Sequence, residues 1–208
     1  ASDNGDMMPV MVRGGRILFV ITGLIIIGFI AVGQDFIKVW LGDGYEGVYL
    51  STVLIILPSL FYVPQEIGCT AIAVHNKVKY QAIVYLVMGL SNAIMGYFLA
   101  KSYGCFGLCA AIFIAYNIRN VGLEIIFKEQ LHLHLGIFLK DVFFQMGIPL
   151  ILAGIIGYGC HFIPLSGWIG FITKGSIVVF LYIMLMWLLA LSSDEKNFFI
   201  QQVQQQYP

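Results

Sequence analysis

Residues Gly47–Val74 read GVYLSTVLIILPSLFYVPQEIGCTAIAV, with Glu66 as the only charged side chain. At ~1.5 Å per residue the run exceeds a bilayer hydrocarbon core of ~30 Å. Working outward, five more apolar runs follow the same pattern, at Ile17–Val32, Tyr80–Ala100, Cys105–Phe127, Phe138–Phe162 and Trp168–Leu191. Short polar segments separate them. Hydrophobic residues make up 60% of the 208 residues and charged ones 11%, against roughly 25% charged in an ordinary soluble domain. A surface this apolar requires lipid as its solvent. The expected fold is all-α, a polytopic membrane protein of six transmembrane helices over residues 1–192, with a polar, Gln-rich cytoplasmic tail over residues 193–208.

The formal net charge is zero, so the chain carries no electrostatic footprint for nucleic acid. No Walker loop, HExxH, nucleophile elbow or Gly-rich dinucleotide turn occurs. The expectation is therefore a protein with no catalytic residue, no cofactor and no metal site. The opening residues, Ala1 to Arg16, hold Asp3, Asp6, Arg13 and Arg16 without an apolar run, which excludes a signal peptide there. They read as a loop, and the chain as a fragment whose N-terminal part lies elsewhere. Four cysteines, Cys69, Cys105, Cys109 and Cys160, sit in or beside apolar runs with no metal-ligand spacing. Inert buried thiols are the preferred reading, and a Cys105–Cys160 bridge stays open. His132 and His134 form an HxH pair in an amphipathic linker, Glu129–Asp141, with no third ligand near in sequence.

Alternate loops differ in basic charge. One set holds Arg13, Arg16, Lys77, Lys79, Lys128, Lys140 and Lys196; the other holds Lys38, Lys101 and, at the start of the last run, Lys174. Cytoplasmic loops carry the excess of Lys and Arg, so the richer set and both ends are expected inside. The outer loop Gly33–Glu46 carries Asp35, Asp43 and Glu46, with Trp40 and Tyr45 suited to the interface.

Ionisable groups within a span are costly and mark candidate sites. Glu66 lies in a stretch with Pro58, Pro64 and Gly68, which predicts a kinked or broken helix. Arg119 lies in the fourth run within Tyr116-Asn-Ile-Arg-Asn120, followed by Glu124. Each sits about 12 Å from the inner end of its own run at ~1.5 Å per residue. Equal depth predicts a Glu66–Arg119 pair. Three roles stay open for it: a fastener between helices, an Arg119 that reaches to the inner interface, or a substrate contact. Asn92, Asn117 and Asn120 are further candidates, for interhelical bonds or for sugar hydroxyls. Tyr116, Asn120 and Glu124 share one helix face, which is too polar to face lipid.

Phe36-Ile-Lys-Val-Trp40-Leu-Gly42-Asp-Gly-Tyr45 resembles the Phe-Ile-x-x-Trp-Leu-Gly-x-x-Tyr stretch of the polysaccharide-biosynthesis flippases. These are the oligosaccharide or O-antigen translocases of the multidrug/oligosaccharidyl-lipid/polysaccharide superfamily. Gly5-Asp6 before Arg13 and Arg16, the basic loop Val74-His-Asn-Lys77-Val-Lys79 and the turn Tyr103-Gly104-x-x-Gly107 are similar to further pieces of that family, in its order, over roughly residues 1–192. The resemblance implies most of the C-terminal lobe of a two-lobe, alternating-access transporter. It implies a bacterial inner-membrane flippase for undecaprenyl-linked oligosaccharide, completed by an N-terminal lobe and bathed in membrane lipid. Arg119 is then the candidate to meet the substrate's pyrophosphate. The alternatives are a cation-coupled multidrug and toxin extruder, in which Glu66 would serve, and a membrane enzyme or scaffold of glycan assembly. An enzyme of that kind would need a larger outer loop than Gly33–Glu46.

Overall fold

Lipid offers no partner for backbone N–H and C=O groups, so a chain this apolar must satisfy them internally. It does so by helix. The computed structural model describes residues 4–131, 139–159, 165 and 167–190. Among these there is no strand. The helices are α1 (Asn4–Leu41), α2 (Glu46–Ile56), α3 (Ser59–Val74), α4 (Val78–Leu131), α5 (Gln145–Gly159) and α6 (Gly167–Leu185). A π-helical turn, Leu139–Phe144, leads into α5, and another, Met186–Ala190, ends α6.

Five helical stretches are long and apolar enough to cross a bilayer: Pro9–Leu41, Gly47–Val74, Val78–Leu131, Lys140–Gly159 and Gly167–Ala190. The protein is membrane-embedded. The third stretch holds the third and fourth runs of the sequence together. Its 54 residues would extend about 80 Å if straight. It is not straight, because Gly104 takes φ 60°, ψ −138°, a conformation open to glycine. Beyond it the helix doubles back. Gly107 packs on the Leu99 carbonyl, Gly96 on Ala111, and Gly122 on Val84. These pairings make antiparallel arms, 78–103 and 105–131.

Two boundaries differ from the sequence reading. The first helix runs from Asn4 to Leu41, so most of the expected outer loop Gly33–Glu46 is helical and the connection shrinks to Gly42–Tyr45. Ile37 is buried and Asp35 finds a partner on α6, which favours continued winding. Gly42 and Gly44, at φ 86° and 100°, make the turn. The second run breaks between α2 and α3 at Leu57–Pro58, while Pro64 is accommodated within α3. The HxH pair, most of the amphipathic linker, Cys160 and the tail lie outside the described residues.

Helix α1 is central. It packs on α2, α3, α5, α6 and the first π turn. Met11, Gly15, Phe19, Thr22 and Ile26 recur at steps of four and three and are buried. Small residues let backbones approach, as membrane packing favours. A Cβ at Gly23 would stand 2.6 Å from Leu150 and 2.7 Å from the Tyr182 hydroxyl, which donates to the Val20 carbonyl at 2.8 Å. At the other end, buried Arg16 donates to the Asp141 carbonyl (3.0 Å), Gln145 Oε1 (2.7 Å) and the Ala190 carbonyl (2.5 Å). Arg16, counted among loop cations in the sequence, is thus a fastener of α1 to both π turns. The α4 hairpin lies at the edge, held by α2 and α3.

Candidate functional site

Helix α3 and the second arm of α4 run parallel, both toward the end of their span. Tyr62 stacks on Tyr116 with ring centroids 5.1 Å apart, Gln65 meets Glu124, and Gly68 meets Phe127. This register puts Glu66 beside Arg119, and the two form an ion pair of 2.6 Å. The pairing expected from depth is present.

Its two ends differ. The Arg119 side chain is 6% exposed and that of Glu66 is 47% exposed. Arg119 is fixed from several sides. Its Nη2 donates to Glu66 Oε1 and also to the Tyr85 hydroxyl at 3.0 Å. Its guanidinium lies 5.2 Å from the Tyr62 ring centroid and 5.1 Å from that of Tyr85, distances at which a ring face attracts a cation. Gln81 Nε2 donates to the same Tyr85 hydroxyl at 3.0 Å. Arg119 Nη1 is buried with no protein partner.

The pair forms the floor of a cleft of about 420 Å³ lined by Tyr62, Glu66, Tyr85, Met88, Gly89, Tyr116 and Arg119. Three helical segments build it: α3 and both arms of α4. Gln81, Tyr85, Met88 and Asn92 recur at steps of four, three and four, so Asn92 extends this face of the first arm by one turn. A half-exposed carboxylate on a lipid-facing surface would be costly. This face therefore meets water, a ligand or further protein.

The remaining candidates divide. Asn120 is buried, and neither its Nδ2 nor its Oδ1 has a protein partner. It lies one turn before Glu124, which accepts a long bond of 3.3 Å from Gln65 Nε2. Gln65, almost fully buried, keeps Oε1 unpartnered. A polar seam thus runs behind the cleft between α3 and α4. Asn117 donates to the Phe113 carbonyl of its own helix at 2.8 Å and does not line the cleft.

Sequence reading missed Tyr62 and Tyr85, since tyrosines are ordinary in membrane helices and only the fold shows them flanking Arg119. It also missed a second ion pair. Lys174, taken as a cation at the start of the last run, is 4% exposed and donates to Asp35 Oδ2 at 2.7 Å. It lies seven residues into α6, about 10 Å along the helix. The signal was available: a lysine that far inside an apolar run needs a buried acid.

Among the described residues no group of three His, Cys, Asp or Glu side chains is placed to hold a metal. Cys69 and Cys109 are buried free thiols, and Cys105 is an exposed one. The cleft offers no nucleophile–base pair. It offers a charge-neutral ion pair, three phenol rings and several hydrogen-bonding groups, an arrangement suited to binding. The chain matches no family model, no curated protein and no solved structure.

Proposed function

We propose that the protein translocates lipid-linked oligosaccharide precursors of cell-envelope polysaccharide across a bacterial inner membrane. The observation that carries this reading is the Glu66–Arg119 pair at the floor of a tyrosine-lined cleft, inside helices that otherwise suit lipid. The motif resemblance gives it a substrate class. Two of the motif turns have a physical basis, since Gly42 and Gly104 both adopt positive φ. Tyrosine rings and amide side chains suit sugar rings and hydroxyls, and Arg119 suits an anionic head group.

In this reading each arm of α4 crosses the membrane, giving six crossings with both ends cytoplasmic. The cleft forms part of a central cavity, and an N-terminal lobe of the same protein supplies the opposite wall. Alternating access then proceeds by rocking the two lobes. Binding, not catalysis, is the work assigned to Arg119, Glu66, Asn92 and Asn120. Asn117 is assigned no part, because it bonds its own helix.

Glu66, half-exposed among tyrosines, favours one rival: a cation-coupled exporter of organic cations. Proteoliposomes separate the two. A fluorescent lipid-linked oligosaccharide should change leaflet when residues 1–208 act with the N-terminal lobe, and not with residues 1–208 alone. Movement by residues 1–208 alone would overturn the two-lobe assignment. Export of an organic cation without movement of the glycolipid would overturn the flippase reading.

A further inference from the structure

We propose that an anionic ligand of the diphosphate-diester class reaches Arg119 by displacing Glu66, and that Glu66 takes up a proton from water as it leaves. This inference rests on the cleft being the site that meets such a ligand, and it concerns how binding there is regulated.

The argument starts from access. Arg119 lies behind Glu66: the guanidinium side chain is 6% exposed, the carboxylate 47%. No anion can contact Nη2 while Glu66 Oε1 occupies it at 2.6 Å. One partner must move. Arg119 is the fixed one, bonded to the Tyr85 hydroxyl and set against the rings of Tyr62 and Tyr85. With Nη1 also buried and unpartnered, the guanidinium has donors to spare for an oxyanion. Glu66 is bonded to protein only through Arg119 among its described side-chain contacts, and its other side opens on the cleft. It is the group that swings.

Charge decides the rest. With the pair intact the cleft floor is neutral. A diphosphate diester brings two negative charges, and a displaced carboxylate would add a third against one guanidinium. The groups facing Glu66 do not compensate. The second arm of α4 presents Arg119 and Tyr116, with Glu124 one turn further in; the first arm presents Tyr85; α3 itself presents Tyr62 and Cys69. From α1 the contacts with this part of α3 are Gly14 on Ile67 and Met11 on Gly68, both apolar. An unpaired carboxylate in so dry a place is disfavoured relative to its neutral acid. One proton, drawn from cleft water, removes one of the uncompensated charges. Anion binding and proton uptake are then linked, and each strengthens the other.

The test uses purified protein in lipid nanodiscs and two probes whose phosphates stay ionised from about pH 6 to 8. One is the soluble dimethyl diester of diphosphate. The other is farnesyl diphosphoryl glucose, which carries the same diester on a lipid. The expected result is uptake of about one proton per anion bound, read with an indicator dye in weak buffer. Affinity should fall about tenfold for each unit rise in pH above neutrality. Binding by both probes assigns recognition to the diester, and binding by the lipid alone assigns it to diester and chain together; the linkage is required in either case. Glu66→Gln, already neutral, should bind at least as tightly as wild type and lose both the proton uptake and the pH slope. Because the wild-type pH series needs no variant, the proposal stays testable if Glu66→Gln folds poorly. Binding with no proton uptake, no binding of either probe, or loss of binding in folded Glu66→Gln would each overturn it. Glycolipid transport without the pH slope would remove this inference and leave the proposed function standing. Proton-linked anion binding without glycolipid transport would do the reverse.

Discussion

The molecule holds two ion pairs inside its apolar helices, and they are built differently. Lys174–Asp35 joins α6 to α1, with side-chain exposures of 4% and 27%. Val178 and Tyr182, on the same face of α6 one and two turns further, are buried in the core. Glu66–Arg119 joins α3 to α4, equally short, yet its acid is half-exposed and a cleft opens in front of it. The first pair fits a fastener. The second spends buried, well-fixed donors on an acid that remains reachable, which is the property expected of a binding site. Pair distance does not separate these roles; exposure and the neighbouring cavity do.

The largest effect should come from breaking the sealed pair. Lys174→Met leaves Asp35 without its cation, and losing one partner of a buried pair typically costs roughly 3–5 kcal/mol. The folded fraction against a denaturing detergent should drop accordingly and recover most of the way in Lys174→Met with Asp35→Leu. A single substitution no worse than the double would place Lys174 outside the fastening role.

Next is the packing that sets the register of α3 against α4. A Cβ at Gly68 would stand 2.7 Å from the Phe127 ring and 2.9 Å from Met11. Gly68→Ala should therefore destabilise by about 1–3 kcal/mol, as overpacking does, and loosen the open pair while leaving Lys174–Asp35 intact. An unchanged unfolding curve would show that α3 shifts freely and that the register has no hold on the cleft.

A smaller effect is expected from neutralising the open acid. Half-exposed pairs contribute roughly 0–1 kcal/mol, so Glu66→Gln should unfold close to wild type. A loss as large as that of Lys174→Met would erase the difference between the two pairs. Chemical labelling sharpens the same contrast without altering charge. A cysteine replacing Met88, which lines the cleft, should react with a membrane-impermeant maleimide. A cysteine replacing Val178, 2% exposed beside Tyr182, should not. In the proposed orientation a cysteine at Gly44 reacts from outside and one at Asn76 only from within; labelling of Asn76 from outside would invert the topology.

How far the sequence discloses these features depends on what each one requires. Helical membrane spans follow from apolar length alone, and the break at Pro58 follows from the imino acid that forces it. The turn at Gly104 shows as a tyrosine–glycine step between two apolar runs. The Glu66–Arg119 pair was legible because both charges interrupt long runs at equal depth, so each explains the other. Lys174–Asp35 was obscured because both residues sit near run ends, where a charge also reads as loop. Extension of α1 through Asp35 depends on that partner, 139 residues away, which no local pattern reveals. Arg16 was obscured in the same way, its acceptors being carbonyls on remote turns. The tyrosines around Arg119 and the orphaned Asn120 and Gln65 atoms emerge only once α3 and the hairpin pack together.

The most direct test of the central claim, that Glu66–Arg119 serves binding and not fastening, is the double variant Glu66→Gln with Arg119→Ala, assayed for folded yield and glycolipid flipping in one preparation. The account predicts near-normal folding and insertion, because no charge is left unpaired, together with loss of flipping, because the guanidinium is gone. Flipping by the double variant at the wild-type level would show that the pair only holds α3 to α4 and would contradict the account.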